Sequence, residues 1–379
     1  MKVARIAVLG FRNLAEQELE LEEGVTLLWG PNGAGKTNLL EALGVALSGR
    51  SCRTRNDRDA IAFAESLARV EVEVRARSET HRFLWSLTRG GERRHLAGGK
   101  PVGHEQARLR PALGVFLPDR LALVKGPPAG RRDHLDRFIA AMWPGRVEAR
   151  RAYGRALAQR NALLGRVRAG AASPGLLDAW DRELAEAGAE LIRARGDAVV
   201  ALADEFRAAA KELGLVGGAE LRYAPRSDAG DPAQLTAELL ERRESDVARG
   251  HTTHGPHLDE LSTSLGDRSI RRFGSQGEQR TTLLALLFAE RRALLEARRT
   301  PPLMLLDDVM SELDPDRREL LATRLAEGGG QAVVTATEAA HLPAACRRSE
   351  LVVREGRASM RPRVLAAEAT DAVDAPVAA

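Results

Sequence analysis

One octapeptide limits what this chain can fold into more than any other feature. Gly30-Pro31-Asn32-Gly33-Ala34-Gly35-Lys36-Thr37 fits the phosphate-loop pattern G-x-x-x-x-G-K-[ST]. It lies between a short apolar run, Val25 to Trp29, and a segment from Thr37 to Leu47 in which Leu39, Leu40, Leu43 and Leu47 share a helical face. A strand–loop–helix unit of this kind predicts an α/β protein. The glycines let the backbone curl until successive N–H groups point at phosphate oxygens, and the helix N-terminus adds free donors and a positive dipole end. Lys36 is placed to reach the β- and γ-phosphates, and the Thr37 hydroxyl to hold Mg²⁺.

Leu303-Met304-Leu305-Leu306-Asp307-Asp308 supplies the complementary element. A buried apolar strand there delivers Asp307 to the far side of the metal and Asp308 to the side of an attacking water. Ser275-Gln276-Gly277-Glu278-Gln279 stands 32 residues before Asp307 and opens a helix predicted over Gly277 to Arg298. A hydroxyl, a glycine and free helix N–H groups suit contact with a phosphate, and the same residues also suit a plain helix cap. Ser311-Glu312-Leu313-Asp314 follows; it fits either a junction between two nucleotide domains or the N-cap of a helix starting near Pro315.

In this order and spacing the four segments resemble the ATP-binding-cassette ATPases. That resemblance implies ATP and Mg²⁺ as ligands, and a homodimer in which Ser275 of one copy completes the nucleotide site of the other. Lys36 and Ser275 are 239 residues apart, farther than in transporter cassettes, while 379 residues leave no room for the long coiled coils of the structural-maintenance-of-chromosomes branch. A single-chain cassette with a short helical arm is similar to the RecF family of bacterial replication and repair proteins. Further local matches carry this: Gly10-Phe11-Arg12-Asn13-Leu14, Gly49-Arg50-Ser51-Cys52-Arg53-Thr54, Gly126-Pro127-Pro128 to Arg131-Arg132 before Leu135-Asp136, and Thr253-His254-Gly255-Pro256-His257. The resemblance runs from residue 1 to about 360. It implies an ATPase head, with a phosphate-loop core and an antiparallel β subdomain, plus an α-helical arm. It also implies an ATP-binding set of Gly30 to Thr37 with Arg12, Asn13, Ser275, Gly277 and Gln279. Lys36, Ser275 and Asp308 would be catalytic, Thr37 and Asp307 metal ligands, and Ser311 and Asp314 the dimer junction. The setting implied is recombinational repair of gapped DNA, with RecO, RecR and the recombinase RecA as partners.

Two departures from a generic cassette stand out. The catalytic position often held by Glu is Asp308, one methylene shorter, which predicts slow hydrolysis. Val334-Thr335-Ala336-Thr337 has no histidine where many cassettes sense the γ-phosphate, and Pro118-Asp119 occupies the stretch where a sensing Gln is expected.

Between Arg146 and about Gly214 the sequence turns to Ala, Arg, Glu and Leu. Leu177, Trp180, Leu184, Ala187, Leu191, Ala194 and Ala198 recur on three- and four-residue steps, the seam of a helix packed lengthwise on a neighbour. Residues 146–169 and about 176–213 are therefore read as an antiparallel helical hairpin, either a DNA-touching lever or a packed subdomain. The expected divisions are 1–145 and 251–362 for the two parts of the head, 146–250 for the arm, and 363–379 for a disordered tail.

Charge divides unevenly along the chain. Residues 1–170 carry 30 Lys+Arg against 18 Asp+Glu, and residues 171–379 carry 27 against 35. Such asymmetry suits a polyanionic partner. Arg150, Arg151 and Arg155 belong to a stripe of seven Arg against one Glu over 146–170, which suits phosphate tracking. Arg50, Arg53 and Arg55 either touch DNA or form a solvated loop with Asp57 and Asp59. With only two Tyr and eight Phe, duplex contact is favoured over base stacking. His251, His254 and His257 lack the further ligand a metal site needs and are assigned to a turn. The longest apolar run, Leu283 to Ala289, has seven residues, too few to span a membrane. The charged start predicts no signal peptide, two cysteines give no disulfide framework, and a cytoplasmic location follows. Two other classes remain open: a cassette coupled to a membrane or other protein partner, and a nucleotide-gated nuclease or adaptor, for which the residues after about 360 leave no metal-binding domain.

Overall fold

The computed structural model describes residues 1–54, 56–77, 79–117 and 121–360. Arg55, Pro118, Asp119 and the tail expected over 363–379 lie outside the described residues. Charged and apolar residues alternating with period two give the first sheet, because one face is buried and the other wet. It contains β1 (Lys2–Leu9), β2 (Gln17–Glu20), β4 (Leu67–Ala76), β5 (Glu79–Thr88), β6 (Arg93–Ala97) and β7 (Lys100–Pro101), antiparallel throughout in the order β2-β1-β4-β5-β6-β7.

The short, wholly apolar strands form the second sheet. β3 (Val25–Trp29), β8 (Leu113–Phe116), β12 (Leu303–Leu306), β13 (Ala332–Ala336) and β14 (Ser349–Arg354) are parallel, and β15 (Arg357–Met360) adds an antiparallel edge, in the order β15-β14-β3-β13-β12-β8. Burial on both faces explains why these strands read as continuous apolar runs. Leu28, Leu303, Leu305 and Val333 pack toward the first sheet and α1 (Lys36–Ser48), while Leu27, Met304, Leu306 and Val334 face the opposite helical layer. Each fully buried leucine stabilises by about 2 kcal/mol. The buried Gln331 side chain ties the two sheets together, accepting from Val3 N at 2.8 Å and donating to Val3 O at 2.7 Å and Glu22 O at 2.9 Å.

Two short helices, α2 (His104–Ala107) and α3 (Leu121–Lys125), flank β8 and lead to α4 (Pro128–Met142). The sequence gives little warning of α4, because its buried positions include Arg131, His134 and Asp136 beside Leu135, Phe138 and Ile139. The predicted hairpin is present as α5 (Val147–Arg168) and α6 (Leu177–Glu212), the latter about 54 Å long at 1.5 Å per residue. Of its predicted seam, Leu177, Leu184, Leu191, Ala194 and Ala198 are buried and Trp180 and Ala187 half-buried. The hairpin is no free lever. Ala194, Ala198, Leu202, Phe206 and Ala210 of α6 share one core with α4 and with α10 (Gln276–Arg298).

Beyond α6 come β9 (Ala219–Ala224), α7 (Pro232–Glu241), α8 (Arg243–Arg249), β10 (Glu260–Leu265), β11 (Arg268–Ser269) and α9 (Ile270–Phe273). β9 pairs with β10 across the division expected at residue 250, and the third sheet runs β11-β10-β9. α11 (Pro315–Ala326) then follows β12. Buried arginines join arm to head: Arg195 donates to Asp136 at 2.9 and 3.0 Å, to Asp259 at 2.9 Å and to Pro256 O at 2.6 Å.

Candidate nucleotide-binding site

The phosphate loop leaves the C-terminal end of β3 and enters α1 through Gly35, whose φ of 110° belongs to the left-handed half of the map. Gly30 is required for a different reason: a Cβ there would lie 2.2 Å from Val353 O. Among the described residues, the amides of Gly33, Gly35, Lys36 and Thr37 donate to no other backbone oxygen, which leaves them available to a ligand. Lys36 is buried, with Nζ donating to Gly30 O at 2.7 Å and Pro31 O at 2.9 Å. Burial lowers its pKa from the ordinary lysine value, and the carboxylates of Asp308 and Asp307 pull it back up.

Asp307 arrives on the C-terminal end of β12, beside the loop. Thr37 Oγ1 lies 2.8 Å from Asp307 Oδ1 and 2.9 Å from Oδ2. Thr335, at the end of the neighbouring strand β13, donates to Oδ1 at 2.7 Å. Burial raises the Asp307 pKa above its ordinary value of 3.8, the hydroxyls of Thr335 and Thr37 oppose this, and Asp308 adds to it. The Thr335 hydroxyl also accepts from Asp308 N at 2.9 Å, while Ser311 Oγ donates to Asp308 O at 2.9 Å. These bonds hold Asp308 at a φ of 49°, a strained value for a non-glycine residue. Its Oδ1 is buried without a hydrogen-bond partner among the described residues. The sequence marks Thr335 only as the place of a missing histidine; a hydroxyl near the end of an otherwise apolar buried strand is the signal it offers.

The expected ATP-binding residues outside the loop fall in different places. Asn13 donates to Gly33 O at 2.9 Å and accepts from Asn38 at 2.6 Å, so it braces the loop. Arg12 turns instead to Glu41, a wholly buried carboxylate on α1, at 3.0 and 2.8 Å, and to Asp59 O at 2.6 Å. Arg53 corrects the pairing expected with Asp57 or Asp59: it donates to Asn38 Oδ1 at 2.7 Å and Glu41 at 3.2 Å, and its charge is felt by Asp307. A Glu between Leu40 and Ala42 on an apolar helix was the signal for such a buried ion cluster. Arg50 is exposed.

Ser275 caps α10 in a capping box: Glu278 N donates to Ser275 Oγ at 3.2 Å and Ser275 N to Glu278 at 2.6 Å. Because α10 leads back to the start of β12, this end of the helix lies toward the C-terminal ends of the strands, where the loop leaves β3. Ser275 and Gly277 are exposed and make no hydrogen bond to the loop of their own chain. Gln279 corrects an expectation: it is buried, donating to Gly274 O at 2.8 Å and Ile270 O at 3.3 Å, and so holds the turn before the helix. Asp314 caps α11, accepting from Arg317 N at 2.9 Å.

Four of the seven arginines of the stripe meet carboxylates, three of them from outside the stripe. Arg150 meets Asp133 at 2.6 Å and Asp136 at 3.1 Å, Arg155 meets Glu148 at 2.7 Å, and Arg151 stays exposed. Arg160 is wholly buried between Asp181 at 2.6 Å and Asp246 at 2.7 Å. The histidines have separate partners: His254 faces Glu238 at 2.6 Å, His257 faces the Tyr153 hydroxyl at 2.7 Å, and His251 faces Arg249 O at 3.3 Å. Among the described residues no helix is long and apolar enough to cross a membrane.

A family model described as an AAA domain matches residues 5–97. The chain is 40% identical over 348 residues to the DNA replication and repair protein RecF of Anaeromyxobacter sp. (strain Fw109-5), covering 89% of this chain and 93% of that one. It is 36% identical to the RecF of Heliobacterium modesticaldum, covering 89% and 92%. Among solved structures it is similar to the recombination mediator protein RecF-ATP of the RecFOR pathway, at 27% identity and a TM-score of 0.86, with 95% of this chain and 97% of that one covered. The Smc head bound to the C-winged helix domain of ScpA shares the fold alone, at 16% identity, a TM-score of 0.58 and coverages of 95% and 97%.

Proposed function

The chain belongs to the RecF family of DNA replication and repair proteins, and from that premise we propose that it is a slow ATPase that closes on DNA as an ATP-held dimer. The observation that carries this reading is the meeting of Thr37 and Asp307, 270 residues apart in sequence, at the mouth of a loop of free amides. In the proposal those amides and the N-terminal end of α1 cradle the triphosphate, and Lys36 turns from Gly30 O and Pro31 O to the β- and γ-phosphates.

A hydroxyl and a carboxylate are hard oxygen donors, and the orphaned Asp308 Oδ1 beside them is a further oxygen without a protein partner, so the residues fit Mg²⁺. Thr37 and Asp307 would hold the ion, which would neutralise charge on the phosphates when bound. Asp308 accepts the proton of the attacking water. Its short side chain and strained backbone leave it poorly placed, so turnover stays below about 10 s⁻¹.

Ser275 and the first amides of α10, exposed in one copy, contact the γ-phosphate held by the other. Ser311 and Asp314 lie at the junction, where the Ser311 bond to Asp308 O links it to catalysis. Closure sets two basic faces against duplex or gapped DNA, with Arg50 and Arg151, exposed and without an ion pair among the described residues, as the candidate contacts. In the cytoplasm such a clamp marks gaps where RecO and RecR help load RecA.

Sedimentation with ATP, with ADP and without nucleotide tests the proposal. The parent protein is expected to dimerise with ATP alone. Asp308→Asn should trap the dimer, Ser275→Arg should bind ATP without pairing, and Lys36→Arg should do neither. A parent that stays monomeric with ATP overturns it.

A further inference from the structure

An unusual electrostatic feature lies at the opposite edge of the parallel sheet. Arg108 and Arg110 precede β8, and Arg298 and Arg299 close α10 just before β12. The two segments touch: Arg298 Nη2 donates to Arg110 O at 3.3 Å, and Leu303 N to Ala112 O at 2.8 Å. Elsewhere, Arg12, Arg131, Arg160, Arg195 and Arg324 leave solvent against a carboxylate, while Arg132, Arg291 and Arg318 donate to backbone oxygens. Among the described residues, these four have no ion-pair partner. Arg110 and Arg298 are half-buried, and Arg110 Nε is buried with no hydrogen-bond partner among the described residues.

The charges act on one another. Burial and the charge of Arg298 lower the Arg110 pKa to about 10, and burial and Arg108 lower that of Arg298. Favourable contact with the C-terminal dipole of α10 accounts for Arg298 and Arg299, but not for Arg108 and Arg110. Arg299 also takes a φ of 53°, a helix-ending conformation that glycine adopts at least cost.

We propose that Arg108, Arg110, Arg298 and Arg299 form a second anion site, built for a phosphate group and separate from the triphosphate cradle. Several planar guanidinium forks exceed what one carboxylate can neutralise, whereas a phosphoryl group offers more charge and more oxygens. Lys36 and Asp307 follow the C-terminal ends of their strands, while these arginines precede the N-terminal ends, a strand length of about 13 Å away. The phosphate belongs either to a nucleic-acid backbone or to a free phosphorylated compound.

The test uses the full chain with Lys36→Ala, which weakens phosphate binding at the loop and is common to all variants, in phosphate-free buffer at constant ionic strength. Inorganic phosphate is titrated while thermal unfolding is followed. The expected result is a phosphate-dependent rise in Tm whose apparent affinity falls about tenfold or more with Arg110→Gln or Arg298→Gln. Arg108→Gln, on the exposed rim, should shift it in the same direction without affecting the fold. An equal response in all variants overturns the site, and so does stabilisation by polyglutamate but not by phosphate, which assigns the cluster to an acidic protein segment.

Duplex titrations with Lys36 intact and ATP present then separate the two sources. A weaker affinity and flatter salt dependence in Arg298→Gln assign the phosphate to nucleic acid, and unchanged duplex binding with a lost phosphate response assigns it to a free compound. A parent protein that binds no duplex counts against the DNA reading above, while the phosphate titration still decides this site.

Discussion

Asp307 carries a cost that its position imposes. Its pKa is raised chiefly by burial, so the folded chain holds the proton more tightly than the unfolded chain does. Stability from this group is therefore full below the ordinary carboxylate range and is lost as pH rises through the raised value. Asp307→Asn should accordingly raise the Tm of the nucleotide-free protein at pH 7 to 8, the gain shrinking on acidification toward pH 4, while Mg²⁺-dependent hydrolysis falls about 100-fold or more. Calorimetry across pH and a phosphate-release assay check both halves. Thr335→Val removes a donor to Asp307 and the acceptor for Asp308 N. Hydrolysis is expected to drop about tenfold, ATP affinity to change little, and Thr335→Ser to recover most of the rate. At this scale the loop and strand-end carboxylates were legible because spacing and apolar context define them. Thr335 and the partners of Arg12, Arg53 and Gln279 were not, because a side chain's direction depends on contacts that no local pattern encodes.

The helical hairpin shows the same division between elements. Its boundaries and seam follow from three- and four-residue apolar steps, but the fate of its arginines does not. Arg160 finds Asp181 on α6 and Asp246 on α8, 21 and 86 residues away. What reads as a basic stripe is in part an internal strut. Arg160→Met should leave Asp246 without its counter-ion and Asp181 with Arg243 alone, and destabilise the chain by about 3–5 kcal/mol, measured by urea unfolding. Adding Asp246→Asn should recover part of that loss. α4 is hidden in the sequence for a related reason: its inward residues include Arg131, His134 and Asp136, whose partners come from other elements.

For the whole molecule, the proposed two-fold arrangement makes a prediction that no single-copy mechanism shares. A Lys36→Ala copy and a Ser275→Arg copy should each be inactive alone. Mixed in equal amounts, half the dimers pair unlike copies, and each of these has one site with both an intact loop and an intact serine. Hydrolysis should return to about a quarter of the parent rate. A mixture as inactive as its components would mean that each site is made by one chain.

β3, which carries the phosphate loop, is flanked on both sides by strands made some 300 residues later, β13 and β14. On the ribosome the loop is therefore among the first parts synthesised and among the last to be seated. A nascent chain stalled near residue 330 has the whole octapeptide exposed but no sheet to hold it, and both edges of β3 open to association with other chains. Such fragments should aggregate without retaining ATP. Only a chain translated through β14 can acquire its ligand, so nucleotide capture doubles as a checkpoint for completed synthesis.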